Sequence, residues 1–154
     1  MTVKTTDKIE KEIIMRAPRS KVWRALTNAE EFGKWFGVKM HDSFVPGAIA
    51  RGKILSPGYD HLTLEVHVDR VEAEHLFSYR WHPYAVDPEM DYSNEPTTLV
   101  SFELEEIAEG TRLKVTESGF DRIPLARRDE AFRMNSGGWA AQVENVANYV
   151  DAES

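Results

Sequence analysis

The residue types able to do chemistry in this chain are five histidines, one inward-phased glutamate and a row of alternating aromatics. The histidines are His41, His61, His67, His75 and His82. No two of them stand at i, i+4 on a helical pattern, the spacing that turns two imidazoles toward one metal. Along 62–71 the apolar phase is Leu62, Leu64, Val66 and Val68, which throws His61, Glu65 and His67 onto the opposite face. That set is a weak match to a metal site, and it is read as an exposed polar face, with no metal and no cofactor. Cysteine is absent, which removes disulfides, a thiol nucleophile, thiolate zinc and cysteine-held iron–sulfur clusters.

Glu117 shares its phase with Leu113 and Val115, so it can point inward near the end of a strand. A carboxylate placed there is either a rim group hydrogen-bonded to solvent or a loop, or a polar anchor for a ligand or a weak general base. Phe77, Tyr79 and Trp81 alternate on one face, with Ser78, Arg80 and His82 on the other. Such rings fill a core as readily as they line a hollow. His82, Tyr84, Asp87, Asp91 and Tyr92 gather in or beside one long loop, as a polar lid or as a solvated insertion. Ser101, Ser118 and Ser136 lack a nucleophile-elbow setting, and no phosphate-binding loop is present.

The elements that must position these residues follow from periodicity. Residues 8–15 alternate as a first strand, with Ile9, Ile13 and Met15 on one face. Pro18 can open a helix, in which Val22, Trp23 and Leu26 keep helical spacing. Asn28 can cap a second helix carrying Phe32, Trp35 and Phe36, and Gly37 closes it. Period-two patterning then predicts strands at 38–44, 48–55, 62–71, 76–82, 98–107 and 111–118, with Pro-Gly and Glu-Gly turns between several of them. Residues 83–96 (PYAVDPEMDYSNEP) form the one long insertion. Phe132, Asn135, Trp139, Val143, Val146 and Val150 share the face of a C-terminal helix. Gly137-Gly138 predicts a kink, or a restart capped by Asn135 or Ser136.

The fold class is therefore α+β: a curved antiparallel sheet of seven strands, two short helices, and a long helix packed across the sheet. Between sheet and helix a hollow is expected. Its candidate walls are Trp35, Phe36, Met40, Phe77, Tyr79, Trp81, Phe102, Glu117, Phe120, Met134, Asn135, Trp139 and Val143. His82, Tyr84 and Tyr92 are its candidate lid. Trp139, beside the glycine pair, is placed on the cavity wall rather than in solid core.

At 154 residues the chain is read as a single domain, with residues 1–7 frayed. Its net charge of −7 works against nucleic acid and anionic membranes. No apolar run reaches the roughly 18 residues of a membrane span, and the charged start shows no export signal. A cytoplasmic protein is the expectation.

Ile13-Ile14-Met15-Arg16-Ala17-Pro18-Arg19-Ser20-Lys21-Val22-Trp23 resembles the strand–Pro–helix entry of the START-like superfamily, also called SRPBCC or Bet v 1-like. Within it, the likeness is to the branch related to the C-terminal domain of the activator of Hsp90 ATPase. The segments 30–36 (EEFGKWF), 76–81 (LFSYRW) and 110–120 (GTRLKVTESGF), with the later Gly138-Trp139, are similar to that branch's second helix, aromatic strand, last strand and closing helix. Eukaryotic activators carry a separate N-terminal domain that binds the chaperone, for which this chain is expected to leave no room, and the insertion after Trp81 is a second departure. Some bacterial relatives bear names borrowed from vanillate demethylase. That chemistry needs iron–sulfur or flavin equipment, and neither cysteines nor a dinucleotide fingerprint is present.

The resemblance implies a helix-grip fold that binds a small, largely apolar molecule between sheet and long helix. Two other functions stay open. One is a protein–protein module like the Hsp90 activator domain. The other is an enzyme acting on an aromatic or polyketide-like substrate, for which Glu117 with Tyr79 or His82 is the nominated polar pair. A homodimer is also left open.

Overall fold

The computed structural model describes residues 8–87 and 89–152; the expected frayed start lies outside them. Strand β1 (Lys8–Met15) leads into α1 (Arg19–Thr27) and α2 (Ala29–Phe36). Then follow β2 (Val38–Met40), β3 (Ile49–Ile54), β4 (Thr63–Glu72), β5 (Leu76–Trp81), β6 (Thr98–Ile107) and β7 (Gly110–Ser118). A short 3-10 turn (Phe120–Arg122) precedes α3 (Leu125–Ala152). The sheet order is β1-β7-β6-β5-β4-β3-β2, antiparallel at every pairing. It is the meander the turns predict, with the first strand returning beside the last.

The local signals act as expected around α2. Asn28 Oδ1 accepts the Glu31 backbone N–H at 3.0 Å and caps the helix. Gly37 ends it at φ 90°, a left-handed conformation that glycine adopts without a Cβ penalty. A Cβ on Gly33 would lie 2.2 Å from the Val38 carbonyl oxygen, so glycine is what lets α2 lie against β2.

Three expectations need correction. Strand β2 stops at Met40 rather than at residue 44. Beyond Met40 the chain is tied to β3 by its own backbone, His41 N–H to the Arg51 carbonyl, and by Asp42, whose carboxylate accepts the Arg51 N–H. Phe44 leaves the ladder and packs between Phe32 and Phe77, at centroid distances of 5.2 and 5.1 Å. Next, α3 runs unbroken through Gly137-Gly138, and no restart occurs at Asn135 or Ser136. A Cβ at either glycine would meet nothing within 4 Å, so neither is needed for close packing.

The third correction concerns the space between sheet and helix, much of which aromatic side chains fill. Phe32, Phe36, Trp139, Phe102, Phe77 and Phe44 form a closed circuit of ring contacts with centroids 4.7–6.2 Å apart. Rings of this size fill the concavity the sheet curvature creates. The open space lies instead at one end of the sheet.

Candidate functional site

The opening that brings Trp81, His82, Tyr84, Tyr92 and Asn135 together arises where β4 outruns β5. Thr63, Leu64 and Glu65 pair with Lys53, Gly52 and Arg51 of β3, but the β4–β5 register begins only at His67 opposite Arg80. Strand β5 ends at Trp81, and the chain swings away into the 83–96 insertion. A gap is left beside the overhanging end of β4. It holds a hollow of about 360 Å³. Ile54, Leu62, Leu64, Trp81 and Val86 give it apolar walls. His82, Tyr84, Tyr92, Ser93, Glu65 and Asn135 are among its polar lining. A neighbouring hollow of about 250 Å³ shares Ile54, Leu62, Tyr84 and Val86 with it and adds Tyr59 and Met134. On the other side a crevice of about 100 Å³ runs between Phe36, Trp139, Gly138 and Gln142, again touching Trp81 and Asn135.

The insertion is held over this hollow by Arg127 of α3. Its guanidinium donates to Glu95 Oε1 at 2.6 and 2.9 Å and to the Pro83 carbonyl at 2.7 Å, and it lies 4.8 Å over the Tyr92 ring. His82 Nε2 meets the Glu95 carbonyl at 3.1 Å. Both ends of the insertion are thus drawn to one cation. Tyr84 takes φ 48°, the left-handed region that side chains seldom occupy.

Behind the hollow lies Glu117, 0% exposed. Its carboxylate accepts five hydrogen bonds. Trp81 Nε1 donates at 2.7 Å and Thr98 Oγ1 at 2.6 Å to Oε2. Trp139 Nε1 donates at 2.8 Å to Oε1. Asn135 Nδ2 reaches both oxygens, at 3.0 and 3.2 Å. The four donors come from β5, β6 and α3, and all are neutral. Burial lifts the Glu117 carboxyl above its ordinary value, and these hydrogen bonds pull against that rise. The Tyr79 hydroxyl is also buried and has no hydrogen-bond partner among the described residues. Burial first, and then the charge of Glu117, push its ionisation well above the usual phenol value.

The candidate residues therefore divide. Trp81, Asn135, His82, Tyr84 and Tyr92 meet around the main hollow, and Met134 joins its neighbour. Phe36 and Trp139 wall the crevice. Trp35, Phe77, Tyr79, Phe102, Phe120 and Val143 line none of these three spaces, because other side chains pack their faces. The Trp35 indole, for instance, donates to the Ala25 carbonyl inside the core. Met40 borders a separate depression between α2 and β2. Among the described residues Glu117 makes no hydrogen bond to Tyr79 or His82, the nominated polar partners; its oxygens accept from Trp81, Thr98, Trp139 and Asn135. Of the β4 polar set, Glu65 is exposed and engaged by Arg51 at 3.1 Å and His67 at 3.5 Å. Thr98 and Arg127 were not singled out in the sequence. A threonine on a strand carries no distinguishing pattern, and the partners of Arg127 are 32 to 44 residues away.

A sheet wrapped on one long C-terminal helix, with an opening at its end, is the helix-grip arrangement of START-like proteins. The chain belongs to the family described as activator of Hsp90 ATPase homolog 1-like proteins, whose profile matches residues 16–151. Solved structures share the fold. Protein MLL2253 from Mesorhizobium loti is 24% identical, with a TM-score of 0.75 over 96% of this chain and 98% of its own. DynU16, a putative protein of the dynemicin biosynthetic locus, is 24% identical with a TM-score of 0.74 over 96% of this chain and 48% of its own. The Aha1 dimer from Colwellia psychrerythraea is 18% identical, with a TM-score of 0.69 over 94% of this chain and 96% of its own. No match was found among curated protein sequences. No described helix is long and apolar enough to cross a membrane.

Proposed function

We propose that the chain acts as one START-like unit that binds a small, largely apolar molecule in the hollow beside β4. One observation carries this reading. Where β5 ends, the sheet leaves about 360 Å³ with apolar and aromatic walls, roofed by a segment that Arg127 holds in place. That volume is in the range of sites that enclose small organic ligands. The ligand would enter beneath the insertion and lie against Trp81 and Leu64. This differs from the site expected between sheet and helix, since the aromatic circuit fills that space.

Native mass spectrometry of freshly purified protein, followed by titration with an apolar fluorescent dye, tests the reading. Ala85 lines the hollow, so Ala85→Trp should fill it while leaving the buried core unchanged. Loss of dye binding in that variant supports the location. Undiminished binding would place the ligand elsewhere.

A further inference from the structure

Asn135 fixes the hydrogen-bonding sense of the hollow. A carboxylate only accepts, and an indole N–H only donates. With Trp81, Trp139 and Thr98 all donating to Glu117, the Asn135 amide must also turn its nitrogen toward that carboxylate, as it does. Its carbonyl oxygen Oδ1 is then left with no donor among the described residues, on a residue that borders both this hollow and the crevice beyond Trp81. His82 is constrained in the same direction. Its Nε2 meets a backbone carbonyl, which can only accept, so the hydrogen is on Nε2. In the neutral ring, Nδ1 is left as an acceptor. Neither Lys nor Arg is among the lining residues, and the one lining carboxylate, Glu65, is engaged by Arg51 at 3.1 Å. The nearby Arg127 is already paired with Glu95.

Resting on the reading that this hollow binds an apolar molecule, we propose that its ligand is a ring-containing molecule that donates a hydrogen bond to Asn135 Oδ1. Phenols, aromatic alcohols and N–H heterocycles have that chemistry; anions of aromatic acids do not. An acceptor enclosed by an apolar ligand with nothing to donate loses its water without replacement, which is the costly case for a buried polar group. A carboxylate ligand would face the Asn135 acceptor with no Lys or Arg among the lining residues to pair with it.

Three probes of one shape separate these outcomes: 2-naphthol, 2-methoxynaphthalene and 2-naphthoate, titrated by calorimetry at neutral pH. The expected order is 2-naphthol first, about tenfold tighter than the methyl ether, which corresponds to about 1.4 kcal/mol, with 2-naphthoate last. Asn135→Ala should bring naphthol and its ether to within about threefold of each other. Circular dichroism should show that the variant is folded. Should it fail to fold, the probe order in the parent protein and the loss of all three in Ala85→Trp still decide. Equal binding of naphthol and ether, or preference for naphthoate, overturns the donor requirement and leaves the apolar-site reading standing. A naphthol preference that survives in folded Asn135→Ala overturns the role of Asn135. Failure of all three probes to bind the parent defeats both readings.

Discussion

Trp139 donates its indole N–H to Glu117 Oε1 at 2.8 Å, while its ring makes an edge contact with Phe102 at 5.7 Å. One side chain thus fastens α3 to β7 by a hydrogen bond and to β6 by packing. Trp139 is 3% exposed, so it counts as a core residue although it borders the crevice. Trp139→Ala should lower stability by about 3–5 kcal/mol, as large aromatic truncations do. A urea melt reads this directly, and a loss under about 2 kcal/mol would mean that the Trp139 ring contributes little as core packing.

Removing the shared acceptor strands several donors at once. Glu117→Ala leaves the N–H groups of Trp81, Trp139 and Asn135 and the hydroxyl of Thr98 without their partner. A cost of about 3–5 kcal/mol is expected, with the near-ultraviolet dichroism of the two indoles reduced. Wild-type stability in this variant would mean that water replaces the carboxylate.

The same carboxyl gives stability a defined pH slope. Burial raises it above 4.5, and hydrogen bonds from Thr98, Trp81, Trp139 and Asn135 oppose that shift. The folded chain therefore holds this proton more tightly than the unfolded one. Stability contributed by Glu117 is greatest below the unfolded value, falls as pH rises toward the folded value, and is flat above it. Glu10 and Asp91 are shifted down and slope the opposite way, but both are shared by a Glu117→Gln variant. Stability of the parent minus that of Glu117→Gln should decline as pH rises from 4.5; a difference that grows with pH contradicts the sign.

Arg127 predicts where the insertion loosens. Arg127→Ala removes the tie from α3 to Pro83, Glu95 and Tyr92. Amide exchange across residues 83–96 should quicken about tenfold or more, with a global cost of about 1–3 kcal/mol for the lost charged hydrogen bonds. Unchanged exchange in the variant would show that the insertion holds itself. In the parent, a saturating apolar ligand should slow exchange in the same segment.

Gly137 offers a gain. A Cβ there meets nothing within 4 Å, and the residue is inside a continuous helix. Gly137→Ala should stabilise by about 0.5–1 kcal/mol, read as a rise in the thermal midpoint. Destabilisation would reveal a bend that the glycine permits.

Periodicity and capping residues made the element order legible, because both are short-range. Asn28, Gly37 and the inward phase of Glu117 were readable from neighbours within a few positions. The location of the hollow was not, because it depends on summed ring volumes and on β5 ending before β4 does. Two misplaced residues show the limit. Phe77 and Phe102 look like cavity lining in the alternating pattern, yet they stack on each other at 5.7 Å and fill the space. The donor set around Glu117 gathers side chains 18 to 36 residues away, at separations for which one sequence holds no spacing rule.

The order of the strands also bears on how the chain behaves in concentrated solution. Its outer borders are β1 and β2. The β2 border is three residues long and offers little to an incoming strand. The β1 border carries Lys8, Glu10 and Glu12, in ion pairs with one another or with Lys114 and Arg112 on β7. A foreign strand adding there would have to strip water from those charges. Fibril-like growth through the sheet is therefore resisted at both ends, and the overhang of β4 at its Thr63 end is roofed by the chain itself.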